Sequence, residues 1–159
     1  VFNMAEYFCG MGEWAVGQAG DVLCTRGLGS CIGLVLIDNK KRMAAMAHVM
    51  LPSSNGKVDM PAKYADTAVV FLLEQLKKNG SSMDISCKMA GGSKMFNVSE
   101  SSLLDIGRRN AEALEKSLKE AGINLVAKDV GGSFARTVIF DVMKRKFLVK
   151  TIGRGEVEI

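Results

Sequence analysis

Ser30-Cys31-Ile32-Gly33-Leu34-Val35-Leu36-Ile37-Asp38, Asn39-Lys40-Lys41-Arg42 and Met43-Ala44-Ala45-Met46-Ala47-His48-Val49-Met50-Leu51 run consecutively, and their reading decides the fold. Two apolar runs flank a short polar segment. That pattern predicts a hairpin of buried strands, Ser30–Asp38 and Met43–Leu51. Asn39-Lys40 is the expected turn, although Asn-Lys is a weaker turn signal than Asn-Gly. A two-residue turn places Asp38 opposite Lys41 and, at the far end of the ladder, Cys31 opposite His48. Directly opposed residues share a sheet face, with Cβ atoms about 5 Å apart. A three-residue turn would send the two side chains to opposite faces unless a bulge intervened.

The flanks complete an α+β pattern. Val22–Thr25 reads as a short strand before the hairpin. Pro52-Ser53-Ser54-Asn55-Gly56 is a loop by its breakers. Pro61 suits the first turn of a helix. Its core face is Ala65, Ala68, Val69, Leu72, Leu73 and Leu76, and Asn79-Gly80 ends it. Ile85–Ala90 reads as a strand leading into Gly91-Gly92. A second helix is expected over Ile106–Ala121, with Asp105 as its cap and Gly122 as its stop. Its core face is Ile106, Asn110, Ala113, Leu114, Ser117 and Leu118. Ile123–Lys128, Thr137–Val142 and Phe147–Thr151 read as further strands, the last two forming a hairpin around Lys144-Arg145. Two helices against about seven strands predict an α+β fold with substantial antiparallel pairing. Gly91-Gly92-Ser93-Lys94 lacks the spacing of a phosphate-binding loop, so a tight turn is the better reading of those glycines.

The 159 residues suit one domain, expected over 1–159. With 48% apolar and 24% charged residues, the composition is that of an ordinary globular protein. No apolar run approaches the ~20 residues needed to span a bilayer. No basic region followed by an apolar run suggests a signal peptide, and an initiator Met is expected ahead of Val1. The net charge of +4 is spread out, and aromatics are only 6%, so a basic face with stacking platforms for nucleic acid is not expected. Cys9, Cys24, Cys31 and Cys87 show no secretory context and no C-x-x-C, and His48 is the only histidine. A disulfide framework and a zinc site are both disfavoured.

The chemistry concentrates in Thr25-Arg26-Gly27-Leu28-Gly29-Ser30-Cys31. Glycines there permit close approach of a substrate, and a cysteine after such a turn can sit at a rim. A buried structural cysteine is the commoner fate of a thiol, and a lone histidine in an apolar strand is commonly satisfied by a backbone carbonyl. Their predicted apposition favours a dyad. Imidazole stabilises a thiolate, the sulfur attacks a carbonyl carbon, and the imidazolium protonates the leaving group. Amides near Gly29, Ser30 and Cys31 are candidates for oxyanion donors. Thr25, Ser30, Asp21 and Asp38 are candidates for orienting the histidine.

These residues resemble the CheD family, the chemoreceptor glutamine deamidases. Thr25-x-Gly27-Leu28-Gly29-Ser30-Cys31 is similar to the family's nucleophile loop, and Ala47-His48-Val49-Met50-Leu51-Pro52 to its histidine segment. Tyr64-Ala65-Asp66, Lys88, Gly91-Gly92, Met95-Phe96, Ile106-Gly107, Asn110, Gly131-Gly132 and Arg136 continue the pattern. Phe134-Ala135 departs from it, standing where members often carry a glycine. The resemblance implies a layered α/β/β/α sandwich with mixed, largely antiparallel sheets, similar to cytotoxic necrotizing factor-like cysteine hydrolases. It implies a triad of Cys31, His48 and Thr25, with Gly29 and Ser30 in the oxyanion loop and no cofactor or metal. The implied reaction is hydrolysis of selected glutamine amides, and in some members glutamyl methyl esters, on the cytoplasmic helices of methyl-accepting chemoreceptors. A cytoplasmic location and a CheC-like phosphatase partner follow from the same resemblance. The competing readings are a catalytically idle adaptor that docks a CheC-like protein, and a general cysteine peptidase or transglutaminase-like enzyme. Leu51–Gly56 and Gly91–Phe96 follow strands and are expected to grip a substrate helix.

Overall fold

The computed structural model describes residues 4–95 and 105–159; of the sequence matches above, Phe96 lies outside them. The described elements are β1 (Glu6–Cys9), β2 (Trp14–Gln18), β3 (Val22–Leu28), β4 (Ile32–Asp38), β5 (Met43–Val49), α1 (Ala65–Lys78), β6 (Ile85–Gly91), α2 (Ile106–Glu120), β7 (Asn124–Val130), β8 (Arg136–Asp141), β9 (Lys146–Thr151) and β10 (Gly155–Glu158). They form two five-stranded sheets, ordered β1-β3-β8-β9-β10 and β2-β5-β4-β6-β7. One pair in each sheet is parallel, β1 with β3 and β6 with β7, and the other neighbours are antiparallel. This is a layered α+β sandwich with mixed, largely antiparallel sheets, as the resemblance implied, but among the described residues its layers run α/β/β and no helix covers the first sheet as α/β/β/α would require. Both described helices pack on the outer face of the second sheet. No helix among the described residues is long and apolar enough to cross a membrane.

The hairpin reads as continuous apolar sequence because it is buried on both faces. Every residue of β4 and β5 is buried. Ile32, Leu34, Leu36, Ala45, Ala47 and Val49 face the helices, where Leu72, Leu76, Leu114 and Leu118 meet them. Val35, Ile37, Ala44 and Met46 face the first sheet, against Leu23, Val138, Phe140 and Val149. Burying each large side chain stabilises by about 1.5–3 kcal/mol before the cost of ordering it.

The hairpin register differs from the expectation. Gly33, not Cys31, stands opposite His48, and Ile32 stands opposite Val49. The turn holds Asn39–Arg42 rather than Asn39-Lys40 alone. Asp38 is the physical reason. Its Oδ1 accepts from the amides of Lys40 and Lys41, each at 2.9 Å, which closes a wider turn. Ser81 and Ser82 anchor the same carboxylate from the end of α1, at 2.7 Å and 2.6–2.8 Å. A slip of two residues preserves the face, so Cys31 and His48 stay on the side toward the first sheet.

Pro61 opens a separate single turn, Pro61–Lys63, rather than α1 itself. Asp105 caps α2, its side chain accepting from the Arg108 amide at 3.1 Å. The buried face of α2 is Gly107, Asn110, Ala111, Leu114 and Leu118. It is rotated slightly from the expected face, because the small Gly107 lets the helix start lie against Gly92 and Ser93.

Candidate active site

Thr25, His48 and Cys31 come from three strand segments at one end of the interface between the sheets. Thr25 lies on β3 just before a bulge that breaks the β3–β8 register between Thr25 and Leu28. Its side chain points into the interface and is fully buried. His48 lies on β5 and enters the same space, its backbone held by pairing with the segment before β2. The His48 amide donates to the Glu13 carbonyl, and the Gly12 amide donates to the His48 carbonyl, both at 3.0 Å. Gly33 makes room between them. A Cβ at Gly33 would sit 3.0 Å from Thr25 Cγ2 and 3.1 Å from Leu28 Cδ1.

The hydrogen bonds set the protonation of His48. Thr25 Oγ1 lies 2.8 Å from the Cys9 carbonyl oxygen and 2.7 Å from His48 Nδ1. A carbonyl can only accept, so the one hydroxyl proton goes to Cys9. Thr25 Oγ1 must then accept from His48, which places the ring proton on Nδ1. His48 Nε2 is left with its lone pair, buried and without a partner among the described residues. Burial pushes the imidazole below its ordinary value, with the Cys9 carbonyl and the Glu13 charge opposing. The resting ring is therefore neutral at neutral pH, with a free base at Nε2.

Cys31 immediately precedes β4, half-buried and packed against the apolar cluster between the sheets. It lies two residues along the ladder from the Gly33–His48 pair, where diagonal neighbours in a regular sheet are ~7–8 Å apart. No hydrogen bond joins its thiol to His48 among the described residues. Burial raises the thiol above its ordinary value of 9.0, so the resting state is a neutral thiol beside a neutral imidazole.

The loop carrying Cys31 is pinned through its carbonyls. Gly29 O accepts from the Ser93 amide at 2.8 Å, and Cys31 O from the Gly92 amide at 2.9 Å. Ser30 O accepts from Asn110 Nδ2 at 3.0 Å. Gly91, at φ +126°, must be glycine, because a Cβ there would sit 2.2 Å from the Cys31 carbonyl oxygen. The Gly29 amide is consumed by the Gly27 carbonyl at 3.1 Å, which removes it from the expected oxyanion donors. The amides of Ser30 and Cys31 meet no acceptor among the described residues.

Other candidates for orienting the histidine serve elsewhere. Asp21 caps its own turn by accepting from the Ala5 and Gln18 amides, and Asp38 closes the hairpin. Cys24 is buried on the opposite face of β3 from Thr25. Arg136 is structural: it donates to the Gly91 and Gly131 carbonyls and to Ser93 Oγ. It thereby braces the residues that brace the loop. Sequence reasoning missed the Cys9 carbonyl, which carries no side-chain signature. It placed Asn110 on the core face and in the family pattern but gave it no role, although a polar amide among Leu and Ala positions is itself a signal. Two surface hollows of about 350 and 500 Å³ are lined by neither Cys31 nor His48.

Residues 50–151 match the family model for CheD, described as CheD chemotactic sensory transduction. That span begins after Thr25, Cys31 and His48, but curated relatives cover them. The chain is 49% identical over 148 residues to a protein of Thermotoga maritima named chemoreceptor glutamine deamidase CheD, covering 92% of each. It is 42% identical over 161 residues to a protein of Clostridium botulinum strain Hall named probable chemoreceptor glutamine deamidase CheD, covering 99% of each.

Proposed function

The chain belongs to the CheD family, and from that premise we propose that it is a chemoreceptor glutamine deamidase using Cys31, His48 and Thr25. The observation that carries the residue assignment is the relay from Cys9 O through Thr25 Oγ1 to His48 Nδ1, which leaves Nε2 as a free base.

The chemistry proceeds in two halves. Substrate binding closes Cys31 Sγ onto His48 Nε2, a contact that free enzymes commonly hold loosely. Nε2 takes the thiol proton as sulfur attacks the side-chain carbonyl carbon of glutamine. The amides of Ser30 and Cys31 stabilise the oxyanion. Nε2–H then protonates the amide nitrogen, the C–N bond breaks and ammonia leaves, giving a thioester. Nε2 next deprotonates water, which attacks the thioester and releases glutamate and the free thiol. A glutamyl methyl ester follows the same course, with methanol as leaving group. No step draws on a metal or organic cofactor. Thr25 holds the ring tautomer throughout.

Cys31 is half-buried rather than sealed in the core, which is compatible with a substrate presented on another macromolecule. Leu51 and Met95 leave apolar surface exposed, and Met95 Cγ lies 2.9 Å from where a Gly29 Cβ would be. These two residues belong to the loops expected to grip a receptor helix. The reading places the protein in the cytoplasm with its substrate, and extends to a CheC-like phosphatase as a second partner, which copurification tests.

The decisive experiment incubates the protein with a receptor cytoplasmic fragment and seeks a gain of about 1 Da at glutamines by mass spectrometry. Cys31→Ala and His48→Ala each abolish it. Deamidation that survives Cys31→Ala refutes the mechanism. Binding of a CheC-like protein with no turnover by the wild type would replace this reading with that of an adaptor.

A further inference from the structure

We propose that Asn110 is a positioning residue that aims the oxyanion donors, an inference that rests on Cys31 being the nucleophile. Asn110 is fully buried on α2. Its Nδ2 donates to Ser30 O at 3.0 Å and to Met50 O at 2.9 Å. Both partners can only accept, so the amide has one orientation, with nitrogen toward them. Oδ1 is left buried without a partner among the described residues. A helix whose only task here was packing would be better served by an apolar residue, since an unpaired buried amide oxygen is costly. Asn110 instead joins the residue before the nucleophile to the residue two beyond the base.

The consequence lies in peptide geometry. The described chain has no cis peptide bonds, and in a trans unit the C=O and N–H point in opposite directions. Pinning Ser30 O toward α2 therefore turns the Cys31 N–H away from α2. Pinning Gly29 O to the Ser93 amide turns the Ser30 N–H away from Ser93 in the same manner. Two successive amides, one of them that of Cys31 itself, are thereby held without an acceptor among the described residues. That is the arrangement an oxyanion needs, with donors fixed before charge develops. The bond to Met50 O keeps the histidine strand in register with the same helix.

The test separates positioning from folding. Asn110→Ala is compared with wild type for deamidation of a receptor cytoplasmic fragment and for alkylation of Cys31 by iodoacetamide. Alkylation displaces iodide at a saturated carbon and develops no oxyanion, so it reports thiol and histidine alone. The expected result is a fall of about 10- to 100-fold in kcat, with alkylation within about threefold of wild type. Equal losses in both assays, or turnover within about threefold of wild type, overturn the proposal. Wild-type protein without turnover overturns the deamidase reading itself. Should Asn110→Ala fail to fold, Asn110→Ser is measured in its place, and amide hydrogen exchange of the wild type decides independently. Ser30 and Cys31 amides are expected to exchange faster than those of Leu34 and Leu36. Protection of Ser30 and Cys31 at the level of β4 overturns the proposal.

Discussion

Thr25→Val is the sharpest probe of the relay, because it keeps the shape of the side chain and removes only the hydroxyl. Two groups then lose their partner: the Cys9 carbonyl, at 2.8 Å, and His48 Nδ1, at 2.7 Å. Thr25 and His48 are both buried, so water does not readily replace the lost contacts. Leaving a buried donor unpaired costs about 1–3 kcal/mol. The ring can escape that cost only by moving its proton to Nε2, which occupies the lone pair that catalysis needs. Either route raises the barrier by a similar amount. At 1.36 kcal/mol per tenfold, kcat/KM should fall roughly 5- to 150-fold. Thr25→Ser retains the hydroxyl and should stay within about threefold of wild type. The assay is the time course of glutamine-to-glutamate conversion in a receptor fragment, read by mass spectrometry. Wild-type turnover by Thr25→Val, or an equal loss in Thr25→Ser, would refute the assigned tautomer.

Further outcomes follow from the same geometry. Gly33→Ala brings a Cβ to 3.0 Å from Thr25 Cγ2, and overpacking of about 1–3 kcal/mol should lower both stability and turnover. The double variant Gly33→Ala with Thr25→Ser, which removes that methyl, should recover part of the loss in the same assay. The pH profile of kcat/KM should rise from acid with a midpoint below the ordinary imidazole value of 6.5, because burial depresses His48 and only the neutral ring accepts the thiol proton. A midpoint above 6.5 would refute the depressed imidazole as the base. Asp38→Ala removes the acceptor for five hydrogen bonds and should cost about 2–4 kcal/mol in denaturant unfolding, with little change in turnover by the folded fraction. Burial alone would push the Asp38 carboxyl up. The hydrogen bonds from Ser82, Ser81, Lys41 and Lys40 outweigh it and hold the carboxyl far below its ordinary value of 3.8. Its stabilisation is therefore present above that value and lost as pH falls beneath it, so wild type and Asp38→Ala should converge in stability in strong acid.

The sequence made some of this legible and hid the rest for physical reasons. The two apolar runs announced their strands because both faces are buried. The register slipped by two because one carboxylate, held by serines more than forty residues away, widens the turn, and no local signal records that contact. Parity survived the slip, so the side of the sheet was right although the facing partner was Gly33. Strands β1, β2 and β10 escaped notice. They have four, five and four residues, lie at sheet edges, and in β1 pair parallel with residues sixteen positions downstream. Cys31 and His48 could be nominated from a glycine-rich turn and a single imidazole. The end of the relay could not, because it is a main-chain oxygen of Cys9.

Arg136 reaches back to Gly91 and Ser93, and Asn110 reaches back to Ser30 and Met50. Hydroxyl, thiol and imidazole thus leave the ribosome early, while the clamps that fix their loop are translated late. At ~5–20 residues per second, the interval between the sulfur and Arg136 is roughly 5–20 s. During that time the nascent chain carries the proposed nucleophile with nothing yet to aim it. Prematurely terminated products lacking the last strands should therefore be inert toward protein amides rather than indiscriminate, a safeguard that comes from the order of synthesis alone.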